Sequence, residues 1–223
     1  MKVTIAILVV VAAGIAHADP KAGRVVGKVS VAESDGKPVA GAEIVVYVVG
    51  FEEKGDVGKP AAEIQQKGRK FVPDLVAITS GEIVSFPNKD PLTHNVFSTS
   101  AAREFNLGEF KLNESKDINF PHPGVVDVYC NIHSEMAATI LVLPNRRHVH
   151  ANKTDGSYVL DGVPPGEWTV FAYTRRATKP VSQKVKVTAG ADSNVDFAIT
   201  RGVEPPHNNI HGEKYKDQGG GYH

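Results

Sequence analysis

The chain has 223 residues, with 25 Lys and Arg residues balanced by 25 Asp and Glu residues. This length is enough for one or two domains with a substantial apolar core. Hydrophobic residues make up 41% of the chain and charged residues 22%, which is typical of a globular protein rather than a disordered one. A formal net charge of zero argues against nucleic acid or an anionic membrane as the main partner.

Residues 1–18 differ from the rest of the chain. Lys2 precedes an apolar run over 3–16, and Ala16-His17-Ala18 has the small-x-small pattern of a cleavage site. This pattern predicts a secretory signal peptide over 1–18. A membrane anchor is the alternative, but the apolar run is short for a span, and no later stretch is long and apolar enough. We therefore expect a protein exported to the periplasm, with no membrane insertion after cleavage.

After residue 18, the sequence predicts strands rather than long helices. Val- and Ile-rich runs with period-two alternation are bounded by Gly, Pro, Asn and Asp. Many short strands at this spacing predict an all-β protein built of β-sandwiches. One helical turn could occupy 100–106. The predicted strands are 25–31, 42–49, 75–79, 83–87, 95–98, 115–120, 125–130, 139–143, 157–160, 167–173, 183–187 and 195–199.

The two outer parts of the chain each look incomplete. Residues 23–48 contain a strand, a turn and a strand, while 154–200 contain further strands after the turn Asp155-Gly156. Because a two-stranded fragment is not stable alone, we predict that both parts complete one sandwich. Three serial pieces are the alternative arrangement.

The predicted domains follow from this pairing. A discontinuous outer sandwich covers 19–65 and 145–200, and a central domain at 66–144 is inserted at a loop tip, where insertions are tolerated. The Gly-, Lys- and Glu-rich stretch 50–68 is the expected linker into the central domain. Residues 201–223 are polar and contain consecutive Pro and Gly residues, which predicts a flexible tail.

The single Cys of the chain lies in a short segment with other candidate metal ligands. Cys130, His133 and Met136 share one loop between predicted strands, and His94 leaves another loop into a strand. Two His and one Cys with a weak axial Met is the soft donor set of an electron-transfer copper site. Zinc prefers four strong ligands, and non-haem iron prefers carboxylates. An inert buried thiol is the alternative for Cys130.

The same residues carry a family resemblance. The segments FVPDLVAITSGEIVSFPNKDPLTHNVFS and FPHPGVVDVYCNIHSEMAATILVL resemble the two halves of a plastocyanin-like cupredoxin, and the C-x2-H-x2-M spacing is similar to the short amicyanin loop. This part also resembles exported methylamine-utilisation-like proteins. Residues 23–48 and 154–200 resemble carboxypeptidase regulatory-like, or transthyretin-like, domains. The resemblances imply a cupredoxin Greek-key β-sandwich inserted in a small transthyretin-like β-sandwich.

The cupredoxin resemblance implies a role for each candidate residue. Asn95 would lie behind the site, with its backbone N–H directed at the Cys130 sulfur. His133 would be the more exposed ligand and the electron port, and Glu135 would give the docking face beside it a negative charge. One type 1 copper ion would be held by His94, Cys130, His133 and, as the axial ligand, Met136.

These implied roles favour a one-electron carrier that is not an enzyme. Its partners would be exported redox proteins such as c-type cytochromes or oxidases. Copper delivery or storage without electron transfer is the alternative. The mature chain has only one Met, Met136, in a closed-looking site, which disfavours this alternative, and only the His-containing tail supports it. Multicopper oxidases and nitrite reductases link such a site to a second centre through His beside the Cys, whereas Tyr129 and Asn131 flank Cys130 in this chain.

Overall fold

The structure is a computed structural model that describes residues 21–215. These residues form eighteen strands and no helix, which confirms the predicted all-β fold class. Among them, no helix is long and apolar enough to cross a membrane. The predicted signal peptide at 1–18 lies outside the described residues. The strands are β1 (Gly23–Glu33), β2 (Val45–Val49), β3 (Pro60–Glu63), β4 (Gln65–Gln66), β5 (Phe71–Val72), β6 (Leu75–Thr79), β7 (Ile83–Pro87), β8 (His94–Ser100), β9 (Arg103–Phe110), β10 (Ser115–Asn119), β11 (Gly124–Tyr129), β12 (Ala137–Leu143), β13 (His148–His150), β14 (Ser157–Val163), β15 (Gly166–Tyr173), β16 (Val181–Val187), β17 (Asp192–Asn194) and β18 (Phe197–Arg201).

Strands β1, β2 and β13 to β18 form a first sandwich, the outer unit. One sheet has the order β14-β1-β17, with β18 also paired to β1, and the other has the order β13-β2-β15-β16. Val25, Val29 and Val31 alternate along β1 and pack in one core with Val46 and Val170 of the second sheet. The outer unit is thus assembled from two segments that lie on either side of the central strands. Its likeness to transthyretin-like domains stays a prediction.

Strands β3 to β12 form a second sandwich, the central unit. Its larger sheet has the order β6-β12-β11-β8-β9, and its smaller sheet has the order β10-β7-β3. Apolar side chains from both sheets, including Phe86, Phe110 and Ile140, form a second core. Cys130 and Met136 belong to this core and are fully buried. The candidate ligand loop therefore lies where β11 passes into β12.

Two segments differ from the predicted pattern. Residues 50–68, predicted as a linker, contain β3 and β4; β3 runs parallel to β7, and Ile64 is fully buried in the central core. The helical turn considered for 100–106 is absent from the structure, because β9 begins at Arg103 and pairs antiparallel with β8. Phe105 and Leu107 alternate with exposed residues in β9, and this period of two favours a strand. The strands of the central unit therefore begin before residue 66.

The two units pack against each other through β12, which is buried along its whole length. Ile140 lies in the central core, whereas Leu141 and Leu143 join Val45 in a small apolar cluster between the units. Just after β12, the buried Asn145 side chain donates hydrogen bonds of 3.0 and 3.1 Å to carbonyls at and just beyond β2. Burial on both faces explains why β12 has the near-continuous apolar sequence AATILVL.

The residues after β18 return to the central unit, whereas the polar sequence predicts a flexible tail. The Tyr215 hydroxyl donates a hydrogen bond of 2.7 Å to the Cys130 carbonyl. The His207 ring stacks on Tyr129, with the ring centroids 4.0 Å apart. The polar composition predicts a solvated segment, but the rings of His207 and Tyr215 pack against each other, and His207 packs on Tyr129. Residues 216–223 lie outside the described residues.

Candidate metal centre

Two neighbouring strands bring the predicted ligands to one end of the central unit. β8 begins at His94, and β11 ends directly before Cys130. These strands are antiparallel neighbours, so the start of one lies beside the end of the other. His133 and Met136 follow in the loop between β11 and β12. The order of the strands thus places His94, from a distant part of the chain, beside the local cluster of Cys130, His133 and Met136.

Three of the four predicted ligands converge. Nδ1 of His94 lies 3.0 Å from Nδ1 of His133, which in turn lies 3.9 Å from Sγ of Cys130. One donor atom from each of the three residues lies within 4.8 Å of the other two. Within residues 21–215, no further group of three His, Cys, Asp or Glu side chains meets the same condition.

The Cys130 thiol is fully buried, yet its surroundings favour the thiolate. The backbone N–H groups of Asn95 and Ile132 point at Sγ from 3.5 and 3.4 Å. Burial raises the pKa of Cys130, but hydrogen bonds from His94 and from backbone N–H groups outweigh burial and hold the pKa below its usual value. The thiolate is the form of cysteine that binds a metal ion.

Asp90 is a candidate functional residue that the sequence analysis missed. Its carboxylate lies 2.7 Å from Nε2 of His94 and accepts backbone hydrogen bonds from Gly68 at 2.7 Å and Arg69 at 2.9 Å. A proton on Nε2 that is directed at Asp90 leaves the lone pair of Nδ1 available to a metal. The available signal is a carboxylate four residues before the His in NKDPLTH, but Asp is also common in turns.

The two imidazoles differ in their surroundings. Burial lowers the pKa of His94, but hydrogen bonds to Cys130 and Asp90 outweigh it and raise that pKa above its usual value. Burial, followed by the nearby charges of His94 and Arg69, lowers the pKa of His133. His94 is fully buried, whereas His133 is half-buried. The site therefore has one anchored inner ring and one outer ring nearer the solvent.

Met136 closes the ligand loop. Its backbone N–H donates a hydrogen bond of 3.1 Å to the His133 carbonyl, and the Cys130 N–H donates one of 3.3 Å to the Met136 carbonyl. The Met136 side chain is fully buried in the central core. These backbone hydrogen bonds hold Met136 close to Cys130 and His133 in the ligand loop. The role of Met136 as an axial ligand stays a prediction.

Asn95 ties the ligand loop to the strands behind it. Its Nδ2 donates a hydrogen bond of 3.0 Å to Oδ1 of Asn106, and its Oδ1 accepts one of 3.3 Å from the N–H of Asn131. The residue is only 6% exposed. Together with its N–H directed at Cys130, these bonds link β8, β9 and the loop, as is typical of residues that orient metal ligands.

The open side of the site lies at His133. This residue borders a cavity of about 700 Å³ together with Arg69, Asn131, Glu135 and Tyr215. Glu135 forms an ion pair of 2.6 Å with Arg69, and both side chains are about half-exposed. The negative docking face predicted from Glu135 alone is therefore wrong, because Arg69 supplies a compensating charge from a distant part of the chain.

The donor set suits copper better than zinc or non-haem iron. The Asp90 carboxylate lies beside the ligands, but it is bonded to the far nitrogen of His94. The converging donors are therefore two ring nitrogens and one sulfur. With a soft thiolate and two imidazoles, His94, Cys130 and His133 can form a type 1 copper site.

Comparisons with known proteins find similarity only among solved structures. No protein-family model matches the chain, and no curated protein sequence matches it. A purple cupredoxin from Nitrosopumilus maritimus is 21% identical, covering 37% of this chain and 99% of that chain, with a TM-score of 0.34. A mutant of amicyanin in the Cu(I) state is 16% identical, covering 44% of this chain and 98% of that chain, with a TM-score of 0.36. The Cu-containing nitrite reductase from Thermus scotoductus SA-01 is 24% identical, covering 43% of this chain and 25% of that chain, with a TM-score of 0.37. The chain thus spans about a quarter of the length of that nitrite reductase.

Proposed function

We propose that this chain is a type 1 copper protein of the periplasm that carries one electron at a time between exported redox proteins. The observation that supports the proposal is the meeting of the His94, Cys130 and His133 donor atoms within 4.8 Å of one another. Copper bound there would supply one-electron chemistry between its two oxidation states. The periplasmic location rests on the predicted signal peptide. The non-enzymatic role rests on Tyr129 and Asn131, which flank Cys130 where a His would link a second centre.

The chain's own residues would keep the ligand geometry constant while the charge on the site changes. Two backbone N–H groups point at the Cys130 sulfur, and the Asp90 carboxylate holds the far side of the His94 ring. Cys130 and His94 are both fully buried, so water does not compete for these contacts. Ligands that are oriented by such contacts reorganise little, and this favours fast electron transfer.

His133 is the proposed port for electrons. It borders the cavity on the open side of the site, whereas His94 is fully buried. A c-type cytochrome or an oxidase would have to approach the exposed edge of His133 closely. Because the Arg69–Glu135 pair leaves little net charge beside this edge, we expect docking to depend only weakly on ionic strength.

The visible spectrum of the copper-loaded protein tests the metal assignment. A thiolate-to-copper charge-transfer band is expected in the unaltered protein and should vanish in Cys130→Ser, because serine provides no soft thiolate. His122→Ala serves as the matched control, since His122 is exposed and lies outside the donor group. A missing band in the unaltered protein, or a band that survives in Cys130→Ser, would contradict the proposal.

The rate of copper release tests the carrier role. An electron carrier retains its copper while it exchanges electrons, whereas a delivery protein hands the ion over. The buried His94 and Cys130 favour retention. The measurement is copper loss to a chelator, beside electron exchange with a small redox reagent. Fast release with slow electron exchange would instead favour the copper-delivery alternative.

A further inference from the structure

The last described residues cross from the outer unit to the ligand loop. Residues 202–215, the C-terminal strap, follow β18 of the outer unit. Near its start, Glu204 accepts a hydrogen bond of 2.5 Å from Arg175, which follows β15 of the same unit. Further on, the His207 ring lies nearly parallel to Tyr129 of the central unit, at 17° between the ring planes. The strap is therefore held by both units.

The strap bonds directly to the first two residues of the ligand loop. The Tyr215 hydroxyl donates a hydrogen bond of 2.7 Å to the Cys130 carbonyl. The Ile210 N–H donates one of 3.0 Å to Oδ1 of Asn131. The Tyr215 ring also packs edge-on against His207, with the ring centroids 5.4 Å apart. The strap thus forms a connected set of contacts around the residue that carries the thiol.

The other end of the ligand loop is also held by the outer unit. Nη1 of Arg175 donates a hydrogen bond of 3.0 Å to the Ala137 carbonyl, at the start of β12. The Arg175 side chain is only 13% exposed and also pairs with Asp74 at 3.4 Å. The Arg175 guanidinium therefore joins the strap, through Glu204, to the far end of the loop.

We infer that the C-terminal strap clasps the Cys130 end of the ligand loop and that Tyr215 is a positioning residue of the metal centre. Tyr215 acts through the backbone, because it bonds the carbonyl of the residue whose side chain carries the thiolate. Release of the strap frees that peptide, and opening of the freed loop exposes the buried Sγ. The outer unit thereby gains a role at the metal centre, since it supplies both the strap and Arg175. The copper readouts of this inference rest on the proposed function, whereas its thiol readout does not.

The first test measures the reactivity of Cys130 in the metal-free, full-length protein. The chain has one Cys, so iodoacetamide modification reports on this thiol alone. Because the thiol is fully buried, modification follows local opening. Tyr215→Phe removes only the hydroxyl, and losing one such hydrogen bond should speed modification by roughly threefold to tenfold. His207→Leu, which removes the stacked ring from Tyr129, should also speed it.

Tyr158→Phe is the matched control. The Tyr158 hydroxyl donates a hydrogen bond of the same length, 2.7 Å, to the Val195 carbonyl, within the outer unit. This variant loses the same kind of bond without touching the strap, and Cys130 should react at the unaltered rate. Equal rates in Tyr215→Phe and the unaltered protein would overturn the clasp. Equal acceleration in Tyr215→Phe and Tyr158→Phe would also overturn it, because the effect would then be general loosening.

The second test uses the copper-loaded protein. Tyr215→Phe should release copper to a chelator faster by a similar factor and should shift the visible and electron paramagnetic resonance spectra. Tyr158→Phe should change neither the release rate nor the spectra. Unchanged release and spectra in Tyr215→Phe would overturn its role as a positioning residue. If the unaltered protein shows no charge-transfer band, the proposed function fails, and the thiol rates alone decide the clasp.

Discussion

The two sandwiches have similar apolar cores but differ in the polar groups that they bury. The outer core is lined by side chains such as Val25, Val46 and Leu160. Among the described residues, the buried polar side chains fall almost entirely in the central unit, with Asn145 at the junction and Thr174 on the outer side. Those of the central unit are Gln66, Thr79, Asn88, Asp90, His94, Asn95, Ser98 and Thr139.

A buried polar group costs free energy unless it is hydrogen-bonded, so such a concentration needs a reason. In the central unit, Oδ1 of Asn88 accepts a hydrogen bond of 2.8 Å from the N–H of Asp90. The Asp90 carboxylate in turn lies 2.7 Å from Nε2 of His94. Asn95 continues the network to the ligand loop. The outer unit also folds as a sandwich, but it has almost no buried polar side chains of this kind. The comparison teaches that one branch of this network, through Asn88, Asp90 and Asn95, leads to the candidate metal centre. Other members brace the fold, as Gln66 does by donating a hydrogen bond to the Phe86 carbonyl.

The largest expected effect tests whether the two apolar cores are equivalent. Leu160 is 2% exposed in the outer core and Ile140 is 0% exposed in the central core. Leu160→Ala and Ile140→Ala should each lower the free energy of unfolding by roughly 2–5 kcal/mol, because each leaves a cavity in a packed core. Denaturant unfolding of the metal-free protein measures both losses. A far smaller loss in one of them would show that the cores are not equivalent.

The next effect tests whether the polar network serves the metal. Asp90→Asn should weaken copper binding by about 10- to 100-fold, because the amide no longer fixes the His94 ring as a carboxylate does. Asp196→Asn is the matched control, since Asp196 accepts a backbone hydrogen bond of 2.7 Å from Lys28 in the outer unit. Competition titration with a chelator gives both affinities. Equal copper affinities in the two variants would show that Asp90 has no role in metal binding.

A smaller effect tests the role of Met136. Met136→Gln should retain copper and lower the reduction potential, because an oxygen donor favours the higher oxidation state. Met136→Leu, which removes the thioether and adds no donor, should raise the potential. Voltammetry and redox titration of both variants give the comparison. If the potential stays the same in both, Met136 is not an axial ligand.

The smallest effect concerns the charge beside His133. In the unaltered protein, cationic and anionic reagents of similar driving force should exchange electrons at similar rates, because Arg69 offsets Glu135. Arg69→Gln should favour the cationic reagent and Glu135→Gln the anionic one, and added salt should shrink both differences. Stopped-flow rates at two ionic strengths measure this. If neither substitution changes the rates, the electron port lies on another face.

Short-range sequence information was enough for part of the site. Cys130, His133 and Met136 are close neighbours in the chain, so their spacing alone predicts a shared loop. Period-two alternation predicts the all-β class, which the structure confirms. His94 could be named only as a separate candidate, and the role of Asn95 needed the family resemblance, because nothing local shows which distant strand lies beside the loop.

Asp90, β3 and the strap were missed or misread for a different reason. Asp90 and the strap residues have polar or mixed surroundings in the sequence, which predict turns and solvated tails. The PAAE sequence of β3 has no strong period of two, and β3 is specified by its pairing with β7. For β3 and the strap, local composition therefore predicted a linker and a flexible tail where the structure has a paired strand and a packed segment. Asp90 does lie in a loop, and local composition gave no sign of its contact with His94.

The sequence by itself determined the donor chemistry, the strand-rich fold class and the local ligand spacing, because each depends on side-chain type and near neighbours. Only the tertiary structure decided that Asp90 holds His94, that Arg69 offsets Glu135 and that Tyr215 reaches Cys130. Arg69 and Glu135 are far apart in the sequence, and only the fold brings their side chains together. For Asp90 and Tyr215, the physical reason lies in the backbone groups that they bond. Asp90 is held by backbone N–H groups and Tyr215 by a backbone carbonyl, and such groups are nearly the same at every residue. The sequence of side chains therefore cannot show which backbone group will lie within hydrogen-bond distance after folding.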